Sequence, residues 1–119
     1  MVKNQERLVT MSIMNTNKNM MTDKIWFALV GIKPLKGNEI LPKAKGAYVN
    51  IACVSKNEES LKEELKEIFK HHLFSITDID EIETENTLII DNPNNAEKVQ
   101  LLNEIKEGYK FAWGTFHAF

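Results

Sequence analysis

The sequence predicts an α+β domain, a two-layer sandwich in which two helices cover one face of a four- or five-stranded, mostly antiparallel sheet. Segments with the two-residue apolar period of strands occur on both sides of the middle of the chain. Two other segments have the 3.6-residue apolar period of helices. The chain has 119 residues, which is enough for one hydrophobic core but not for two. We therefore expect a single domain.

Residues 24–119 are predicted to form that domain, and residues 1–23 a flexible N-terminal extension. The extension contains all five methionines of the chain and shows no sustained apolar period. It also lacks the uninterrupted apolar stretch of a signal peptide. An alternative is a short helix that docks on the domain through Leu8, Met11, Ile13 and Met14.

Composition and charge exclude several function classes. The 15 basic and 17 acidic residues give a net charge of −2, so attraction to nucleic acid or to an anionic membrane would have to come from a local patch. The longest apolar run, residues 25–32, is far shorter than the roughly 20 residues of a membrane span. The single cysteine, Cys53, cannot form an intramolecular disulfide, which favours a reducing, cytoplasmic location. We expect no membrane partner and no nucleic acid, whereas a homodimer stays open.

The first two strands are predicted at residues 24–33 and 47–54. The first is apolar on both alternating faces, which is typical of a strand in the middle of a sheet. The second is enriched in β-branched and aromatic residues. Proline and glycine mark a long connection between them, so a hairpin is expected. The loop and its borders carry Lys33, Lys36, Lys43 and Lys45; phosphate binding is one interpretation of these lysines, and a solvated loop without arginine is the stronger one.

The first helix is predicted to begin at a capping box formed by Ser55 and Glu58. The apolar residues that follow recur with a helical period, and the opposite face is charged, which indicates a surface helix lying on a sheet. The apolar stripe consists of Leu61, Leu65, Ile68, Phe69 and Leu73. His71 and His72 fit the negative end of the helix dipole. Adjacent helical residues point about 100° apart, so these two histidines do not predict a metal site.

The second half of the chain predicts one or two strands, a helix and a last strand. Residues 74–83 and 88–90 are the strand segments, at an edge of the sheet. The helix is expected to start with Asn94 as N-cap and Glu97 at its third position, and to stop at Gly108. Its apolar stripe consists of Val99, Leu101, Leu102, Ile105 and Tyr109. The last strand is expected to present one aromatic face made of Phe111, Trp113, Thr115, His117 and Phe119.

An acidic run in the predicted edge strand is the leading candidate for a binding site. It consists of Asp78, Asp80, Glu81, Glu83 and Glu85. Charges on an edge strand oppose pairing with the edge of another sheet, and that role alone could explain them. The functional interpretation is a surface for a basic protein partner, because a concentrated negative field steers association. The acids lack the spacing of a calcium loop, so no metal site is predicted.

The alternative is a small enzyme or ligand-binding domain that uses Cys53, Trp113 and His117. A thiol beside an imidazole is the minimum for nucleophilic catalysis. A free cysteine is more typical of a core, however, and the sequence contains no HExxH, CxxC, GxSxG or glycine-rich phosphate loop. A non-enzymatic role is therefore favoured, and no cofactor is predicted.

The order of an apolar strand, the VSKNEESLKEELKEIF helix, the acidic FSITDIDEIE strand, a second helix and the closing FAWGTFHAF resembles small ferredoxin-like bacterial immunity proteins. The resemblance covers residues 24–119 and rests on element order, acidity and size. It implies a ferredoxin-like or related fold, and a cytoplasmic inhibitor that neutralises a nuclease-like toxin domain by presenting carboxylates to it. It assigns no role to an individual residue.

Overall fold

The computed structural model describes residues 23–119, so both predictions for the N-terminal extension lie outside the described residues. The elements in chain order are β1 (Lys24–Pro34), β2 (Ala47–Ser55), α1 (Glu58–His71), β3 (Phe74–Thr84), α2 (Ala96–Lys106), β4 (Phe111–Trp113) and β5 (His117–Ala118). The five strands form one antiparallel sheet in the order β3-β1-β2-β4. The short strand β5 pairs with β2 on the same side as β4. The predicted α+β class is confirmed, with its antiparallel sheet and two helices.

Helix α1 covers one face of the sheet, which we call the α1 face. The helix buries Leu61, Leu65 and Phe69, three members of the predicted stripe. They share a core with alternate residues of β2, namely Ala47, Val49, Ile51 and Cys53. This packing places α1 as a helix layer on the sheet, as the sequence predicts.

Helix α2 lies on the other face of the sheet, which we call the α2 face. Its buried residues Leu101, Leu102 and Ile105 pack with Ala52 and with residues of β1 and β4. Successive residues of a strand point to opposite faces, and Ala52 alternates with the β2 residues under α1. The predicted placement of both helices on one face is therefore corrected, because strands that are apolar on both sides require cover on both sides.

The chain order also differs from that of ferredoxin-like folds. Here two strands form a hairpin before the first helix, whereas a ferredoxin-like unit reads β-α-β-β-α-β. The crossover through α1 joins β2 to β3 on the far side of β1. The fold is thus a related α+β arrangement with its own strand order.

Helix α2 covers only part of its face. It has 11 residues, a length of about 16 Å, and it packs over Phe27 of β1 and Ala52 of β2. Further along β1, Leu29 is half-buried and belongs to neither hydrophobic core. We call the uncovered part of the α2 face, around Leu29, Gly31, Tyr48 and Asn50, the open half-face.

Strand β3 contains two β-bulges. Asp78 pairs with Gly31 and Ile76 with the next residue of β1, which leaves Thr77 as an inserted residue. A second insertion lies between Asp80 and Glu83, where Glu81 has φ +53°. Each bulge reverses the alternation of the residues that follow it.

The bulges explain why the acidic segment alternates poorly in the sequence. Ile76, Ile79 and Ile82 are each three residues apart, yet all of them pack against the core of the α1 face. Asp78 and Asp80, in the segment between the bulges, pair with Gly31 and Leu29 and therefore project on the α2 face. An edge strand with a mixed pattern thus has one apolar side and one acidic side.

Several element boundaries differ from prediction. Ser55 ends β2, and Asn57 is the N-cap of α1, where its side-chain oxygen accepts a hydrogen bond from Ser60 N at 2.8 Å. Because a polar side chain two residues later satisfies the same helix end, the Ser55 capping box does not form. Leu73 is exposed, with φ +64°, and does not join the apolar stripe.

Of the two candidate strand segments in the second half of the chain, the first forms a strand, as β3, and the second does not. Residues 88–90 form no strand; Leu88 is buried beneath α2, whereas Ile89 and Ile90 are exposed. Asn92, not Asn94, is the capping side chain, and it caps a short 3-10 helix, Pro93–Asn95, ahead of α2. Another 3-10 helix, Glu85–Thr87, follows β3. Among residues 23–119, no helix is long and apolar enough to cross a bilayer.

Candidate functional site: the acidic open half-face

Asp78 lies against the sheet at Gly31. A β-carbon placed on Gly31 would collide with Oδ1 of Asp78 and with Oγ1 of Thr77. The missing side chain of Gly31 therefore lets the Asp78 carboxylate lean from β3 across β1. On its other side, Gly31 pairs with Tyr48 of β2. A carboxylate and a phenol ring thus flank the same glycine.

Two rows of residues cross the open half-face, as the strand pairing shows. The first runs from Asp78 through Gly31 and Tyr48 to His117. The second runs from Asp80 through Leu29 to Asn50. Tyr48 packs on the ring of Phe119, with 5.7 Å between ring centroids. Acidic, apolar and aromatic groups therefore lie side by side on a surface that α2 leaves uncovered.

Glu97, in the first turn of α2, borders this surface. Its carboxylate accepts hydrogen bonds from Asn50 Nδ2 at 2.9 Å and from Thr115 N at 2.8 Å. Partial burial raises the pKa of Glu97. The hydrogen bonds from Asn50 and Thr115, together with the nearby His117, lower it by more, so the pKa lies below its ordinary value. The sequence assigned Glu97 only to a helix cap and missed this contact with the sheet.

The five predicted acids do not act as one group. Glu83 pairs with Lys98 at 2.7 Å, and Glu85 with Lys106 at 3.5 Å, so both hold α2 to the edge of the sheet. Asp78, Asp80 and Glu81 form no ion pair within residues 23–119. Asp78 and Asp80 are exposed on the open half-face, and Glu81 is exposed at the second bulge.

The alternative site is not brought together. Cys53 and Trp113 lie on the α1 face, where Cys53 is fully buried. His117 pairs with Tyr48 and lies on the opposite face. The cause is a break in the last strand after Trp113, beyond which Phe116 packs toward the α1 core. The predicted aromatic face is therefore made of Phe111, Trp113 and Phe116, without His117.

The surroundings of Cys53 disfavour a nucleophilic role. Burial raises the pKa of its thiol, and the charge of Glu64 raises it further. The thiol sulfur lies 3.8 Å from Oε1 of Glu64, whose own pKa burial raises despite the ammonium of Lys110. A catalytic cysteine needs the opposite arrangement, an accessible thiol with a lowered pKa.

His72 is a structural residue at the end of α1. Its ring packs on Trp113, with 5.2 Å between centroids, and its Nε2 is buried without a hydrogen-bond partner among residues 23–119. Burial lowers the pKa of His72, and His71 lowers it further. In this part of the chain, no three His, Cys, Asp or Glu side chains are arranged to hold a metal ion.

Comparison with known proteins gives no family assignment. No family model matches the chain, and neither the curated proteins nor the solved structures give a match. The function proposed next therefore depends on the geometry of the open half-face.

Proposed function

We propose that the protein is a non-enzymatic binding module that recognises a basic protein partner through the open half-face. The observation that carries this proposal is the position of Asp78 and Asp80, two carboxylates without ion pairs among the described residues, on a part of the sheet that no helix covers. A contact surface with apolar and aromatic groups at its centre and charge at its side is typical of protein interfaces.

Charge supports a basic partner. The ionised Glu97 adds a third carboxylate at the border of the surface, and Lys33 is the cation on the same side of β1. The local charge is therefore more negative than the net charge of −2 suggests. Such a field accelerates association with a cationic surface and fixes its orientation.

The more specific proposal is that the partner is a nuclease-like toxin domain and that the protein neutralises it in the cytoplasm. A nuclease contacts phosphates through basic groups, and carboxylates placed on those groups would block its substrate. Sequencing of the neighbouring genes tests this proposal, which expects a toxin gene immediately upstream of the coding gene. An unrelated operon there contradicts the toxin assignment but leaves recognition of a basic partner standing.

The direct test is a binding titration. A pull-down from source lysate identifies the partner, and the double variant Asp78→Lys/Asp80→Lys is then titrated against it. We expect at least about 30-fold weaker binding, because charges desolvated at an interface cost about 2 kcal/mol or more to reverse. Added salt should slow association of the unchanged protein, since it screens the field.

A matched control separates local charge from net charge. Glu63→Lys/Glu67→Lys makes the same change in net charge on exposed positions of α1, and it should leave affinity within about threefold. Both double variants should keep the denaturation midpoint of the parent protein. If the two variants bind equally well, the open half-face is not the binding surface.

A further inference from the structure

A second surface lies at the end of the sheet where β1 passes into β2. The β1–β2 loop adjoins the turn between α1 and β3, because Leu35 N donates a hydrogen bond to Leu73 O at 2.8 Å. Leu35, Ile40 and Leu73 are 41%, 42% and 41% exposed there. Tyr48 and Phe119 are exposed beside them, since Phe119 N donates to Gly46 O. Most of the large exposed apolar side chains therefore gather at one end of the domain.

The loop that presents Leu35 and Ile40 is firmly held. Asn38 is buried at its centre, where Nδ2 donates hydrogen bonds to the carbonyl oxygens of His72 at 3.1 Å and Leu73 at 2.7 Å. Its Oδ1 accepts hydrogen bonds from Ile40 N at 2.9 Å and Leu41 N at 2.7 Å. The exposed apolar side chains are thus displayed by a preorganised loop.

Leu73 adds an unfavourable backbone conformation to this exposure. Its φ of +64° lies in the left-handed region, which glycine or asparagine usually fills at the end of a helix and which is unfavourable for leucine. The side chain gains little burial in return. Local strain at an exposed apolar residue is more common at functional positions than elsewhere.

Four lysines lie in the segments that carry the apolar group, three of them in the β1–β2 loop beside one acid, Glu39, and the fourth in the last turn of α1. Lys36, Lys43, Lys45 and Lys70 are exposed, and none of them forms an ion pair with another residue in the range 23–119. The ion pairs of this range use Lys62, Lys98, Lys106 and Lys110, which lie on other parts of the domain. We call the group of Leu35, Ile40, Leu73 and these four lysines the lysine-rimmed end.

We propose that the lysine-rimmed end docks on the surface of an anionic phospholipid bilayer. The three aliphatic side chains enter the interface, and the lysine ammonium groups contact the lipid headgroups while their stems cover apolar surface. A lipid surface fits better than a protein, because lysine is depleted at protein interfaces, where arginine is preferred. The only arginine of the chain is Arg7, far from this loop in the sequence.

This proposal is independent of the basic partner proposed for the open half-face. The sequence predicted no membrane partner because the net charge is −2. A bilayer responds to the charge within about one Debye length of its surface, however, and not to the whole protein. Three of these lysines come from the β1–β2 loop and one from the last turn of α1, whereas Asp78 and Asp80 come from β3, so the lysines can form a local cationic surface despite the negative total.

The test is sedimentation of the full-length protein with vesicles. We expect binding to vesicles made of equal parts phosphatidylserine and phosphatidylcholine, no binding to phosphatidylcholine alone, and weaker binding as salt is added. Lys36→Gln/Lys43→Gln should lower partitioning about 25-fold, because each lysine near an anionic surface contributes about fivefold. The control Lys24→Gln/Lys56→Gln makes the same change in net charge at exposed lysines near the other end of the sheet, where Lys24 pairs with Ser55, and it should change partitioning less than about twofold.

A second pair of variants tests the apolar part. Leu35→Ser/Ile40→Ser should lower partitioning about fivefold or more through loss of buried apolar area. The matched control is Ile89→Ser/Ile90→Ser, at positions that are 64% and 60% exposed in the segment before α2. All four variants should keep the denaturation midpoint, since the replaced side chains are exposed.

Three outcomes would overturn the proposal. Equal losses in the patch variants and in their controls would show that no local surface is involved. A loss for the lysine pair without a loss for the apolar pair would refute entry of Leu35 and Ile40 into the interface. Failure of the unchanged protein to bind the anionic vesicles at low salt would exclude a bilayer, and an acidic protein segment would then be the better assignment.

Discussion

The two faces of one sheet differ in how completely they are covered. On the α1 face, β1, β2, β3 and β4 all contribute apolar residues to a continuous core around Phe69. On the α2 face, the core ends near Phe27 and Ala52, and the remainder carries Asp78, Asp80 and Tyr48. The difference suggests that the α1 face stabilises the fold while the open half-face is available for recognition.

The same strands serve both purposes. Along β2, Val49 and Ile51 are fully buried, whereas Tyr48 is exposed and Asn50 is half-buried. Because neighbouring residues of a strand point to opposite faces, substitutions at alternate positions should separate stability from binding. The predictions below test that separation, beginning with the largest effect.

The thiol of Cys53 should show the strongest protection. We expect native protein to react with a thiol reagent near pH 7 at least about a thousandfold more slowly than denatured protein, because the buried sulfur becomes accessible only when the core opens. The raised pKa of Cys53 lowers reactivity further. Rapid reaction of native protein would show that the α1 face is not closed, and it would revive the enzymatic alternative.

Replacement of one phenylalanine on each face should give different losses of stability. Phe69 is fully buried and contacts the rings of Phe74, Phe111 and Trp113. Phe69→Ala should lower the free energy of unfolding by about 3 to 5 kcal/mol. Phe119 is 66% exposed, so Phe119→Ala should cost less than about 1 kcal/mol. Urea denaturation measures both, and similar losses would contradict the difference between the faces.

The dependence of stability on pH should reflect the protonation of His72, at the end of α1. The folded protein holds the pKa of His72 below its ordinary value, first through burial and then through His71. The unfolded chain therefore binds a proton near pH 6.5 that the folded protein does not bind. The free energy of unfolding should decrease as pH falls through this value and level off below the folded-state pKa, by less than about 1 kcal/mol for a partly exposed ring.

Two variants assign that pH dependence. His72→Phe should remove most of the decrease between about pH 7 and 5.5, whereas His71→Gln should remove only the smaller contribution. Chemical denaturation at several pH values gives the comparison. An unchanged decrease in His72→Phe would show that another group is responsible.

Apolar periodicity predicted the parts of the fold in which burial follows directly from local pattern. The strands expected at residues 24–33 and 47–54 occur as Lys24–Pro34 and Ala47–Ser55. Leu61, Leu65 and Phe69 form the buried stripe of α1 as expected. A residue that must be buried repeats with the period of its own element, and that information is present in a single segment.

The remainder depends on partners that are distant in sequence. Alternation assumes that no residue is inserted, so Thr77 and Glu81 hide the true faces of β3, and the break after Trp113 does the same for the last strand. A helical stripe does not indicate which face of a sheet it will cover. The assignment of α2 to the wrong face follows from that limit.

The candidate site was predicted in composition but not in arrangement. The carboxylates of β3 are recognisable in the sequence as a charged run. That Lys98 and Lys106 would neutralise Glu83 and Glu85 could not be predicted, because those lysines come from a helix placed over the edge of the sheet. The role of Gly31 was also missed, since it depends on the cross-strand neighbour Asp78.

The two inserted residues of β3 have opposite and compensating effects on which alternate residues face the α1 core. The insertion at Thr77 reverses the alternation of side chains between the two faces, and the insertion at Glu81 reverses it again. Only residues 78–80 therefore have the opposite alternation to the rest of the strand. The isoleucines before and after this segment keep their inward positions. During evolution, Asp78 and Asp80 can therefore be exchanged for other residues without a change in the core beneath α1. Loss of Thr77 would convert the bulge to regular pairing and leave the faces of its neighbours unchanged, because Ile76 and Asp78 already pair with consecutive residues of β1.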